Sequence, residues 1–137
     1  MPLIELKSFS MYEFDKDGLS SITIGSSSNR YKKYTSIKNL DYTDNSDKLR
    51  VNIKAKKAKY INNTITLNGD VIYTREDNVV FKSQEAIYNK VKNTMDTSKK
   101  YVLYQGKNII KGSSLHFNNN LDKIKSKNVT VIYKTKG

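Results

Sequence analysis

The stretch AKKAKYINNTITLNGDVIYT, Ala55–Thr74, decides how this chain is read. Its lysines suggest a nucleic-acid contact, and its alternation suggests a sheet. Just upstream, Leu49, Val51, Ile53 and Ala55 alternate with Arg50, Asn52 and Lys54. Within it, Ile65 and Leu67 alternate with Thr64, Thr66 and Asn68, and Val71 and Tyr73 resume the pattern. A period of two puts the apolar set on an inner face and the basic set in solvent. The lysines are then the outer half of a strand. Asn68–Asp70 is read as a turn, because its glycine tolerates positive φ.

The same columns recur along the chain. Tyr31, Tyr60, Tyr88 and Phe117 are spaced 29, 28 and 29 residues apart, and Ile24, Ile53, Phe81 and Ile110 stand seven residues before them. A second series, Tyr42, Tyr73, Tyr104 and Tyr133, follows Leu40, Val71, Val102 and Val131 by two. In the fourth unit Leu115, Phe117, Leu121, Ile124 and Val129 extend the inner set. Agreement at several columns over four units marks an internal repeat. Each unit reads as three short strands, and small residues near Ser28, Ala58, Ala86 and Ser113–Ser114 mark bends. Ile4–Phe14 and Leu19–Gly25 flank the hairpin signal Asp15–Gly18. Ser83–Met95 comes nearest to a helical pattern, but its columns match strands elsewhere. The expectation is an all-β, jellyroll-like antiparallel stack of short strands, with two facing sheets and open ends, in a single domain spanning 1–137.

Charge is unevenly spread. The formal net charge is +12, and it runs from −1 over residues 1–47 through +5 over 48–98 to +8 over 99–137. Such a gradient suits an anionic partner, although dispersed lysines also simply solvate a sheet. There is no cysteine, which excludes disulfides, thiol nucleophiles and Cys-ligated metal. No apolar run approaches the ~18 residues of a membrane-spanning helix, and nothing like a signal peptide precedes Ile4.

Catalytic chemistry finds little support. The lone His116 alternates with Leu115 and Phe117 and so points outward. Asp15, Asp17, Glu76 and Asp77 sit in turns, where acids are turn formers. Gly25–Arg30 (GSSSNR) lacks the loop-to-helix context of a phosphate cradle. No catalytic residue, metal site or cofactor is expected. Lys54–Lys59 and Lys123–Asn128 are basic, yet the aromatics fall in the apolar columns and leave no stacking platform for single strands. The interior is then either an ordinary closed core or a slightly open space between sheets that accepts acyl chains.

Ala55–Met95 and Asn108–Tyr133 resemble the OstA-like β-jellyroll repeats of lipopolysaccharide export, through Ala55/Ala58/Tyr60, Gly69/Val71, Ser83/Ala86/Tyr88 and Gly112/Ser114/Phe117. The segment Ile4–Tyr31 resembles the start of the LptC family's periplasmic domain, so the chain is identified as a member of that family, with an LptA-like bridge component as the alternative. Outside the family, the alternative is a basic protein that binds single-stranded nucleic acid. LptC-like proteins carry an N-terminal membrane helix, and this stretch would be the periplasmic domain that follows it at the inner membrane.

The resemblance implies a carrier, not an enzyme. It would receive lipopolysaccharide from the inner-membrane LptB2FG transporter and pass it to LptA. The acyl chains would lie against Ile24, Ile53, Tyr60, Leu67, Val71, Phe81, Tyr88, Met95, Val102, Ile110 and Phe117. Lysines near the opening would pair with phosphate. The N-terminal edge (Ile4, Leu6, Phe9) would face the transporter, and the C-terminal edge (Val129, Val131, Tyr133) would face LptA. The basic tail would steer a partner or discourage aggregation.

Overall fold

The computed structural model describes residues 1–46, 48–119 and 123–133. Leu121 and the basic tail beyond Tyr133 lie outside these. The described chain forms nine strands: β1 (Ile4–Asp15), β2 (Gly18–Arg30), β3 (Thr35–Asp44), β4 (Val51–Ile61), β5 (Thr64–Arg75), β6 (Val79–Asn89), β7 (Thr94–Gln105), β8 (Asn108–Asn118) and β9 (Ile124–Ile132). They pair antiparallel in sequence order as one unclosed sheet, with β1 and β9 as free edges. The architecture is all-β and consistent with a β-jellyroll. The β1–β2 hairpin turns at the expected place, where Asp15 Oδ1 accepts from the Asp17 amide at 2.8 Å and Gly18 has φ 116°. Ser83–Met95 is strand β6, a turn and the start of β7.

Each unit is two long strands rather than three short ones. Asn68–Asp70 is not a hairpin turn. It lies inside β5, with Gly69 at φ 84° and Asp70 at φ 46°, and the register against β6 shifts between Asn68 and Val71. A bulge of this kind bends a strand without ending it. Ser8, Asn39, Ser114 and Asn128 take left-handed φ in the middle of β1, β3, β8 and β9. Register shifts stand at Lys54/Lys57 in β4, Ser83/Ile87 in β6 and Thr97/Lys100 in β7. The small residues Ala58, Ala86 and Ser113–Ser114 flag these corners, as the sequence suggests. A line of kinks thus crosses the sheet and folds it into two facing layers.

The register sets a long inner row in each layer. Met11, Thr23, Tyr42, Ile53, Tyr73, Phe81, Leu103, Ile110 and Val131 are successive partners in the first layer. Ile4, Arg30, Thr35, Tyr60, Ile65, Tyr88, Met95, Phe117 and Ile124 are successive partners in the second. Aromatic rings join the rows across the interior. Phe117 meets Tyr73 edge-on at 5.1 Å between centroids and Phe81 at 5.4 Å, and Tyr42 lies 6.3 Å from Tyr88. Such pairs add about 0.5–1.5 kcal/mol each beyond their burial.

Opposite the corner, the strand ends are joined by buried polar groups. Tyr73 Oη donates to Asn119 Oδ1 at 3.0 Å, and Asn119 Nδ2 donates to Tyr88 Oη at 2.9 Å. Arg75, 6% exposed, donates from Nη1 to the Asn119 carbonyl at 2.6 Å and pairs with Asp77. The Tyr42 and Tyr88 hydroxyls both reach Asp44 Oδ2, at 3.3 and 3.4 Å. Burial, then the Asp44 charge, pushes the Tyr42 phenol well up; burial does the same to Tyr88. Both stay neutral donors. This seam holds the layers together where the bend does not.

Two expected columns slip by one residue. The inner face of β2 is Ser21, Thr23, Gly25 and Ser28, so Ile24 points outward and is 43% exposed. In β7 the inner residues are Tyr101 and Leu103, so Val102 and Tyr104 face out. The true spacing at these units is one residue off the aromatic series, and a one-residue slip turns every side chain over.

Phe117→Ala removes the ring that bridges the layers. It is expected to cost about 3–5 kcal/mol in urea denaturation, at the upper end for core truncations.

Candidate functional site

The interior is not uniform along the sheet. From β4 to β8 it is filled: Ile53, Leu67, Val71, Phe81, Tyr88, Met95 and Phe117 are essentially inaccessible. At the β1–β3 end the inner positions of β2 are small or polar, and the layers enclose a groove of about 620 Å³. That volume suits a small-molecule or single-chain ligand. Phe9, Met11 and Ile37 form its apolar floor, with Thr23 and Ser28 beside them. Gly25 is required here, because a Cβ would stand 2.7 Å from the Phe9 ring and 2.8 Å from Ile37.

Polar groups frame the mouth. Lys90, in the β6–β7 turn, reaches across the opening and donates to Glu13 Oε1 at 3.3 Å. The same ammonium lies 5.6 Å from the Tyr42 ring centroid and 5.8 Å from that of Tyr60. Ser21 Oγ donates to Glu13 Oε1 at 2.9 Å. Partial burial pushes the Glu13 carboxyl up, but the Ser21 hydroxyl and the Lys90 ammonium outweigh it and hold the carboxyl below its ordinary range. Tyr60 lines the groove with its hydroxyl buried and unpaired. Burial pushes that phenol up to about 12, the neighbouring Thr23 hydroxyl offsets part of the rise, and the Glu13 charge adds to it. The β2–β3 turn closes the frame: the Tyr31 amide donates to the Tyr34 carbonyl at 2.7 Å, the two rings stack at 4.7 Å, and Lys59 lies 4.2 Å from the Tyr34 ring centroid.

The expected lining residues therefore divide four ways. Tyr60 lines the groove, Ile110 packs partly buried toward the far end, and the fully buried set forms the closed middle. Ile24 and Val102 lie on the outer face. Among the edge residues, Ile4 and Leu6 are exposed on β1, whereas Phe9 turns inward and is 9% exposed. Val129 and Val131 are exposed on β9, and Tyr133 lies just beyond it. His116 does face out, beside Asp96 on the neighbouring strand, with which it forms an ion pair when protonated.

Sequence reasoning missed Met11, Glu13, Thr23, Ser28, Arg30, Ile37 and Lys90 as groove residues. The signal for Arg30 was in the repeat. The pairing sets it opposite Thr35, which pairs with Tyr60, so Arg30 and not Tyr31 holds the inner-row position of Tyr60, Tyr88 and Phe117.

An unclosed, folded sheet with a groove between its layers is consistent with a β-jellyroll. The family model for lipopolysaccharide-assembly, LptC-related proteins matches residues 2–134, and the chain belongs to that family. Its role therefore lies in lipopolysaccharide transport. Comparison with curated proteins gives no match.

Two changes check the site. A folded-state carboxyl held low stabilises above the ordinary range, and that contribution is lost as pH falls through the folded value. In Lys90→Met the Glu13 carboxyl should titrate higher by NMR, because burial, the largest influence on it, is then opposed by the Ser21 hydroxyl alone. Tyr60→Phe removes an unpaired buried hydroxyl and is expected to raise stability by about 1 kcal/mol in urea denaturation.

Proposed function

We propose that this chain is a periplasmic lipopolysaccharide carrier that takes acyl chains between its layers and passes the molecule along a line of jellyrolls. One observation carries the reading: the two inner rows run to both edges of a sheet that never closes, and open into a groove at the β1 end. Each methylene taken out of water is worth about 0.8 kcal/mol, so even a short inserted length binds well. The groove floor of Phe9, Met11 and Ile37 receives the first methylenes. The filled middle, Ile53 through Phe117, parts to admit more.

The edges extend the path. β1 offers its free backbone to the jellyroll of the inner-membrane LptB2FG transporter, and β9 offers its own to LptA. On β9 the inner-row residues Ile124 and Val131 are about 40% exposed, which leaves an apolar continuation of the interior for a following domain to cover. In the full-length protein a membrane helix ahead of β1 holds the domain at the inner membrane.

A photoreactive residue at Met11 should crosslink lipopolysaccharide, and the same residue at outward-facing Ile24 should not; equal labelling at both would remove the groove from the path. Val131→Asp should weaken co-purification with LptA at least tenfold while the urea midpoint of the isolated domain stays within error. Unchanged co-purification would refute the β9 contact.

A further inference from the structure

We infer that the mouth of the groove is a phosphate-recognition subsite for the headgroup of a lipid, formed by Arg30, Lys32 and Lys33, with Tyr60 as a hydroxyl donor deeper in. This rests on the carrier reading and specifies which end of the ligand the β1 end holds. Three independent features point to it. First, Arg30 occupies the inner-row position that three later units fill with Tyr60, Tyr88 and Phe117. A guanidinium is thus built into the interior row where that row opens to solvent. Second, the mouth has an uncompensated positive charge. Arg30, Lys32, Lys33 and Lys90 all line it, and its one carboxylate among the described residues, Glu13, is already engaged by Ser21 and Lys90. Arg30, Lys32 and Lys33 make no ion pair among the described residues, although Glu5 lies on the adjoining strand, paired with Asn29. Third, the Tyr60 hydroxyl is buried in the groove wall without a partner. Its high pKa keeps its proton in place, so it can donate to an oxygen of the bound molecule.

The chemistry suits a phosphate monoester on an apolar body. Arg30 presents the planar fork that grips two phosphate oxygens, and the two lysines add mobile point charges from the turn. Phe9, Met11 and Ile37 lie just inside, so one molecule meets cations with its head and carbon with its tail. A free phosphate ion would use the cations and gain nothing from the floor.

The test measures binding of three probes to the whole domain: diphosphorylated lipid A, the same lipid enzymatically dephosphorylated, and inorganic phosphate. The variants are Arg30→Ala/Lys32→Ala/Lys33→Ala, whose side chains are exposed, and Tyr60→Phe, which keeps the ring. The wild type should bind the diphosphorylated lipid at least tenfold more tightly than the dephosphorylated one, and the preference should shrink with added salt. The triple variant should lose that preference and bind the dephosphorylated lipid as the wild type does. Tyr60→Phe should weaken the phosphorylated lipid several-fold with undiminished stability. If the triple variant keeps the wild-type preference, the subsite is wrong and the carrier reading stands. If the wild type binds neither lipid, both fall. If inorganic phosphate binds as tightly as the diphosphorylated lipid, the lipid-borne source is overturned.

Discussion

Every strand of this protein has to bend at the same line. A single sheet can bury its apolar face only against another layer, and with no helix among the described elements that layer must be the sheet itself. The bend is made by left-handed residues and bulges at one level: Ser8, Asn39, Gly69–Asp70, Ser114 and Asn128, with register shifts in β4, β6 and β7. Left-handed backbone is costly for residues with a side chain. It persists because the two inner rows meet only if all the corners align, and the aromatic contacts across the interior repay the strain collectively.

Once the sheet is folded, the fill of the rows sets what each region does. Tyr42, Tyr73, Phe81, Tyr88 and Phe117 saturate the middle. Small residues at the β2 positions, with Gly25 forced by the approach of Phe9 and Ile37, leave room at the first end. The seam of Asp44, Arg75, Asn119 and the tyrosine hydroxyls holds the layers opposite the bend. Lys90–Glu13 continues this bridging to the mouth on more exposed groups, where an ion pair is weak. Closure thus weakens toward the groove.

Much of this was legible in the sequence. Period-two alternation fixed strands and their faces in β4 and β6, because Val51, Ile53, Val79 and Phe81 are strongly apolar. The hairpin at Asp15–Gly18 and the repeat were plain for similar reasons. The Asn68–Asp70 bulge was not, since a bulge and a turn ask for the same residues, and only pairing tells them apart. The slip at Ile24 and Val102 was invisible because β2 carries Ile22 and Ile24 on its outer face, and β7 carries apolar residues on both, with Val102 and Tyr104 outside. The groove was missed with it, since its signature is the small and polar inner face of β2, which reads as a solvent face when the phase is wrong.

The unequal ends of the sheet bear on stoichiometry. Head-to-tail addition of strands has no geometric stop, and a unit with identical ends would polymerise. Here β9 presents Ile124 and Val131 on the inner rows, whereas β1 presents Ile4 and Met11 with Arg30 and Thr23 directly behind them on β2. A second copy docked end to end would set an uncovered apolar face beside a narrow apolar edge that gives way, one strand in, to a cationic, hydroxyl-lined one. The mismatch taxes self-addition at the joint, so the same feature that gives the groove its chemistry also limits how many copies of this chain share one row.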